Sequence, residues 1–422
     1  MKPSLSYENI ASDIKKTIAL ILAGGRGVRL KELTDWRVKP AVPFGGKYRI
    51  IDFVLSNCVN SEIRKIGILT QYKSQSLIRH VMRGWELFHA ELGEFIECVP
   101  AQQRQGDDWY SGTANAIYQN MDLIYYHRPS YVLILAGDHI YKMDYRSLLA
   151  FHTQNEAELT IASTYVPINE ASRFGVMETN QKYRVTAFNE KPEAPSTSPH
   201  HPDYALASMG IYVFNTDFLK EVLYKDAKDI QSDHDFGRNI IPSLINDHRV
   251  YAFPFFDFQQ NQSLYWKDVG TVDAYWKASM DLIGVSPELN LYDADWPIRT
   301  AANNYPPAKF VFNDPDRQGK AVDSIVAEGC IISGASVTHS VLSNNVRVEE
   351  HSTVDNSILL PNVVIGPNCR IKNAIIDKEC RVPQGTVIGE DPEADARDYD
   401  LSPEGVTLVE PEMLGQQIHQ IE

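Results

Sequence analysis

Thr17-Ile18-Ala19-Leu20-Ile21-Leu22-Ala23-Gly24-Gly25 is a continuous apolar run that stops at paired glycines. That is how a strand buried on both faces meets a turn. Similar runs recur at 66–70 (IGILT), 131–136 (YVLILA) and 159–163 (LTIAS), separated by segments long enough for helices. Residues 74–88 (SQSLIRHVMRGWELF) space apolar side chains three and four apart, the stripe of a helix lying on a sheet. The front of the chain therefore reads as α/β. The stretch 192–202, rich in proline and histidine, reads as an exposed insertion.

Around residues 303–319 the text turns proline-rich (Pro306, Pro307, Pro315) and the strand–helix rhythm ends. Beyond it the sequence repeats. Ile325, Val341, Ile358 and Ile375, each central to a short apolar triplet, step by 16, 17 and 17. The pairs Cys330/Ser336, Val346/Ser352, Val363/Cys369 and Cys380/Thr386 keep the same steps. Three strands of about six residues per coil is the hexapeptide pattern of a parallel β-helix. One coil cannot bury its inner face alone, so stacking and oligomerisation follow. The expected division is 1–300 catalytic, 301–320 linker and 321–422 β-helix.

The chain has 422 residues, enough for two or three domains. Its 40 Lys+Arg against 55 Asp+Glu give a net charge of −15, which leaves no general basic surface for nucleic acid. Cys58, Cys98, Cys330, Cys369 and Cys380 are scattered and form no Cys-x-x-Cys pair, which fits a reducing cytoplasm and packing roles. No apolar run approaches a bilayer span, so no membrane partner is expected.

The loop Gly24-Gly25-Arg26-Gly27-Val28-Arg29-Leu30 is neither a P-loop, since no Gly-Lys-Ser/Thr follows, nor a dinucleotide fingerprint, since Leu30 replaces the third glycine. What remains is a run of bare backbone N–H groups with interleaved arginines, suited to a polyphosphate. Residues 26–49 hold seven basic side chains (Arg26, Arg29, Lys31, Arg37, Lys39, Lys47, Arg49) and two acidic ones. A solvated basic face is the plainer alternative. Position after a buried strand favours a ligand, because open α/β sheets bind beyond the carboxyl ends of their strands. The same rule selects Asp138, just past YVLILAG, as a metal ligand, and Asp268 in Trp266-Lys267-Asp268-Val269-Gly270 as a second. A turn or helix cap is the competing use of Asp138.

LAGGRGVRL, Lys39-Pro40-Ala41, LAGDH at 135–139, Glu190-Lys191-Pro192 and residues 266–271 resemble a sugar-phosphate nucleotidyltransferase. Within that superfamily, PAQQR at 100–104, WYSGTA at 109–114, FGVM at 174–177, SMGIY at 208–212 and HDFG at 234–237 resemble the bacterial glucose-1-phosphate adenylyltransferase family, over nearly the whole chain. The resemblance implies a Rossmann-like domain with a mixed, mostly parallel sheet, followed by a left-handed β-helix. It implies the reaction of ATP with glucose 1-phosphate to give ADP-glucose and diphosphate for glycogen synthesis. It further implies Mg²⁺ on Asp138 and Asp268, with Arg29, Lys39 and Arg26 stabilising the departing diphosphate. Lys191 is expected on the sugar phosphate, and Glu190, Ser208 and Gly175 around the sugar hydroxyls. Tyr110, Gly112 and Thr113 are expected in the nucleotide or ADP-glucose pocket.

The family also implies a homotetramer in the cytoplasm controlled by small anionic effectors, with Arg37 and Arg49 as effector contacts. This chain departs from the family pattern at Val28, which removes one polar contact of the glycine loop, and at Trp36, Pro43 and Tyr126, which leaves the effector's identity open. Three rivals stand beside this reading: a pyrophosphorylase for UTP, dTTP or GTP, a hexapeptide acyltransferase using His339 or His351, and a regulatory subunit without turnover.

Overall fold

The computed structural model describes residues 7–25, 27–102 and 109–417. Thr17–Ala23 forms β1, with only Leu22 short of full burial. Its neighbours in the main sheet are β2 (Lys65–Thr70), β3 (Phe95–Pro100), β4 (Tyr131–Ala136), β5 (Leu159–Pro167), β6 (Gly175–Thr179), β7 (Val185–Glu190), β8 (Tyr204–Asn215) and β9 (Val250–Pro254). The order is β7-β6-β8-β4-β1-β2-β3, with β5 also on β8 and β9 on β5. β1 is parallel to β2 and β4, whereas β8 runs antiparallel to β4, β5 and β6, so the sheet is mixed.

Alternation along β1 divides the core. Ile18 and Leu20 join one apolar layer with Val132, Ile134 and Phe214; Ala19 and Ile21 join the other with Val54, Leu133, Leu135 and Tyr141. Each buried Leu or Ile contributes about 1.5–3 kcal/mol, so a polar residue on either face of β1 would be costly. The helix expected at 74–88 spans Gln75–Gly84 and stops where a side chain at Gly84 would overlap the backbone of Ala301. The 192–202 stretch is partly pinned: Ser198 is buried and the His200 ring stacks on Tyr183 at 4.2 Å.

After the α/β part, three parallel sheets wrap into a β-helix. One column comprises Lys309–Val311, Ile331–Ser333, Arg347–Val348, Val364–Ile365 and Arg381–Val382. The others start at Lys320–Val322 and Ile325–Val326. Segment 301–320 is thus more than a linker, because Lys309–Val311 pairs with Ile331–Ser333 and extends the first column. One expected alignment is out by a residue: Ser336 pairs with Thr353, not Ser352. The short step arises at the corner after Ile331–Ser333, where Gly334 turns the chain with φ of 60°.

Asparagines in left-handed backbone occupy several corners, which the short amide side chain tolerates. Asn345 donates to Asn362 at 2.9 Å, and Asn356 to Asn373 at 2.6 Å, one coil on. Cys330, Cys369 and Cys380 are free and buried in the coil's interior with Val346, Val363 and Ile365. His339 and His351 sit on exposed corners, which does nothing to support an acyl-transfer site. Among the described residues no helix is long and apolar enough to cross a membrane.

Candidate active site

The parallel register between β1 and β4 pairs Leu22 with Ala136 and brings the glycine loop beside Gly137-Asp138, where the Gly137 N–H donates to the Leu22 carbonyl at 3.1 Å. A second pairing closes the site. The strand His139–Tyr141 lies antiparallel to Trp266–Asp268, with His139 opposite Asp268. Residues 129 positions apart in sequence are thereby held side by side.

Lys39 fills the space between them. Its Nζ lies 3.0 Å from Asp138 Oδ2 and 2.6 Å from Asp268 Oδ1. Burial alone would favour loss of the Lys39 proton, but Asp138 and Asp268 reverse this and raise its pKa above the ordinary value. For Asp138, burial pushes upward, yet the charges of Lys39 and His139 outweigh it and bring the carboxyl down to about 2. Two carboxylates face one close ammonium. Arg29 supplies a looser second cation, Nη2 3.8 Å from Asp268 Oδ2 on a side chain that is 61% exposed.

One ligand atom each from Asp138, His139 and Asp268 lies within 4.8 Å of the others. Among the described residues, His139 Nδ1 is buried and has no hydrogen-bond partner. Two hard carboxylate oxygens beside a single lysine fit a divalent cation of the Mg²⁺ or Mn²⁺ type. His139 was legible only as part of LAGDH; its place opposite Asp268 needs the strand pairing.

Gly27 has φ of 65°, and its carbonyl accepts from the Leu30 N–H at 2.9 Å and from Thr34 Oγ1 at 3.2 Å. Among the described residues nothing lies within 4 Å of where a side chain at Gly25 would begin, whereas Gly24 abuts Gln71. Arg26, Gln103 and Arg104 lie outside the described residues, as does the side chain of Val28.

Across the cleft, Glu190 ends β7 and its Oε1 lies 3.5 Å from Lys191 Nζ. Burial raises the Glu190 pKa, Lys191 lowers it, and Asp235 raises it further. Side chains at Gly175 or Gly237 would press on the Glu190 carboxylate, at 2.8 and 2.6 Å. Only glycine fits there. Ser208 sits at the bulge where β8 slips register against β5, and its Oγ accepts from the Gly210 N–H at 3.3 Å. Tyr110 packs on the core and accepts from Asn120 Nδ2 at 2.8 Å. Trp109 is 52% exposed. Thr113 opens the helix α1 (Thr113–Tyr118), its Oγ1 donating to Asp235 Oδ2 at 3.0 Å. Asp235 was visible only as a letter of HDFG.

The two arginines expected to meet effectors have partners of their own. Arg37, 1% exposed, donates through Nη2 to both carboxylate oxygens of Asp377, at 2.7 Å to Oδ1. Arg49 donates to Ser76 Oγ at 2.7 Å, and burial beside Arg37 lowers its pKa to about 10. Asp377 and Ser76 line a cavity of about 1200 Å³ between the α/β part and the β-helix. Its basic lining side chains are Lys73, Arg347, Lys378 and Arg381. Trp36 is on its wall, with Lys73 Nζ 5.3 Å over the ring. The two arginines thus stand behind the wall of this cavity.

A mixed α/β sheet with a glycine loop and paired carboxylates at its strand ends defines the class: residues 18–284 match the nucleotidyl transferase family model. Residues 306–409 match the GlmU-like C-terminal hexapeptide model. A protein of Nitrosococcus oceani named glucose-1-phosphate adenylyltransferase is 59% identical over 422 residues, the whole of both chains. One of Methylococcus capsulatus with the same name is 58% identical over 405 residues, 96% of each chain. Glucose-1-phosphate adenylyltransferase 2 of Alkalilimnicola ehrlichii is 56% identical over 421 residues, 100% of each chain. The chain belongs to the glucose-1-phosphate adenylyltransferase family of nucleotidyl transferases.

Proposed function

We propose that this chain is an enzyme joining ATP and α-D-glucose 1-phosphate to form ADP-glucose and diphosphate. The observation that carries the reading is the Lys39–Asp138–Asp268 cluster beside an open glycine loop, in a chain aligned end to end with relatives of that name.

The chemistry asks little of the protein beyond positioning and charge. A phosphate oxygen of glucose 1-phosphate, ionised near neutral pH, attacks the α-phosphorus of ATP; the bond to the β-phosphate oxygen breaks and diphosphate leaves. No general base is required. Backbone N–H groups of Gly24, Gly25 and Gly27 take the triphosphate, while Lys39 and Arg29, with Arg26 in support, meet the charge that grows on the leaving group. Lys191 holds the sugar phosphate; Glu190, Gly175 and Ser208 bound the sugar. Tyr110, Gly112 and Thr113 line the nucleotide pocket. Asp138 and Asp268 would hold Mg²⁺, which supplies neutralisation of phosphate charge when bound.

On this reading residues 1–300 carry catalysis and 321–422 carry assembly and control, joined through 301–320. The cavity with Lys73, Arg347, Lys378 and Arg381 suits a small anionic effector, with Arg37 and Arg49 shaping its wall. The expected assembly is a homotetramer and the setting a cytoplasm that makes glycogen. The test is diphosphate release from glucose 1-phosphate with ATP, UTP, dTTP and GTP in turn, with and without glycolytic phosphates and AMP. ATP should be preferred; preference for UTP would overturn the adenylyl assignment.

A further inference from the structure

Between the nucleotide and sugar sides of the cleft runs a segment that the reaction scheme does not use. The helix α2 (Thr216–Asp226) ends at Asp226, whose side chain is 9% exposed. Its Oδ2 lies 2.7 Å from His234 Nδ1, and its Oδ1 accepts from Ser232 Oγ at 2.6 Å. Ser232 Oγ in turn accepts from the His234 N–H at 3.0 Å. His234 is in left-handed backbone, φ 53°, uncommon for non-glycine residues though histidine is among those that adopt it.

The turn aims the His234 carbonyl at the start of α1. It accepts from the Ala114 N–H at 2.8 Å and the Asn115 N–H at 3.4 Å, two of the amides a helix start leaves unpaired. The approach is so close that a side chain at Gly112 would overlap the carbonyls of Asp233 and His234. The next residue continues the chain of contacts. Thr113 Oγ1 donates to Asp235 Oδ2 and accepts from the Phe236 N–H, both at 3.0 Å. Asp235 Oδ1 accepts from the N–H groups of Gly237 and Arg238, and Gly237 abuts Glu190.

We propose that the Asp226–His234 pair is a positioning clamp: it fixes the 232–237 strap so that the Gly112–Thr113 turn and Glu190 keep the spacing needed to hold both substrates. Neither residue touches substrate. The inference rests on placing the nucleotide at Gly112–Thr113 and the sugar at Glu190.

The test is Asp226→Ala, which releases the ring without altering the backbone preference at His234. It should raise KM for ATP and for glucose 1-phosphate about 5- to 20-fold with kcat within about 3-fold. Peptides covering residues 110–118 should exchange amide hydrogen faster. His234→Asn, which keeps a short donor for Asp226 and tolerates left-handed backbone, should leave both KM values near normal. Thr113→Val, further along the same bonds, should raise both KM values, and combined with Asp226→Ala should fall short of the sum.

A folded Asp226→Ala protein with unchanged KM, or with unchanged exchange at 110–118, overturns the clamp. So does a fall in kcat alone, the mark of lost active protein. If wild type makes no ADP-glucose, the functional reading fails while hydrogen exchange still decides the clamp.

Discussion

Arg37 and Lys39 stand two residues apart and reach opposite ends. Arg37 is sealed, its guanidinium on the single carboxylate of Asp377 contributed by the β-helix. Lys39 is equally buried but shares its ammonium between Asp138 and Asp268, whose side chains stay 34% and 22% exposed. The first pair is a direct one-to-one ion pair and is almost wholly buried, at the wall of the cavity. The second sets two partly exposed carboxylates against one close ammonium, with Arg29 as a looser, mostly exposed second cation. A matched, closed pair joins parts of the fold; an unmatched, open one is arranged to receive another charged species.

The largest effect expected from breaking the contrast is at the open cluster. Asp138→Asn should lower turnover by about 10³-fold or more while far-ultraviolet dichroism and assembly size stay as in wild type. Lys39→Gln comes next, with a loss of about 10²- to 10³-fold in kcat. At the closed pair the signs exchange. Arg37→Met strands the buried Asp377 carboxylate and should cost about 3–5 kcal/mol in urea unfolding, with kcat of the folded enzyme little changed.

A smaller difference is expected in acid. The folded-state pKa of Asp138 is depressed to about 2 from 3.8, so its contribution to stability is full above about pH 4 and lost as pH falls through 2. Urea midpoints of metal-free protein at pH 5 and pH 2.5 should show an increment in wild type that Asp138→Asn lacks. The smallest change concerns Lys378, whose pKa burial beside Arg37 lowers to about 8. Anion affinity of the cavity, read by calorimetry, should weaken as pH rises past 8, and Lys378→Met should flatten that slope.

What the amino-acid text disclosed follows from locality. A β-helix must place like residues one above another, so Ile325, Val341, Ile358 and Ile375 announce its period. β1 and β4 are apolar on both faces because both faces are covered, and each ends at its glycine in the order read. Contacts between distant segments were out of reach. The Arg37–Asp377 pair spans 340 residues, and no pattern near either one foretells it. The same holds for His139 facing Asp268. The Asp226–His234 bond is near in sequence, but an aspartate at a helix end and a histidine in the segment after it look like ordinary surface text. Ser336 was misaligned because one corner is a residue short, and a count of periods cannot say which corner absorbs it.

The proposed reaction requires Asp138 and Asp268 together to hold a divalent cation. Titrating Mn²⁺ into the protein by electron paramagnetic resonance, with ADP-glucose present, reads this without reference to turnover. One site per chain is expected in wild type and in Arg37→Met, with affinity reduced about 100-fold or more by Asp138→Asn or Asp268→Asn. Mn²⁺ binding that is indifferent to both aspartate substitutions would contradict it.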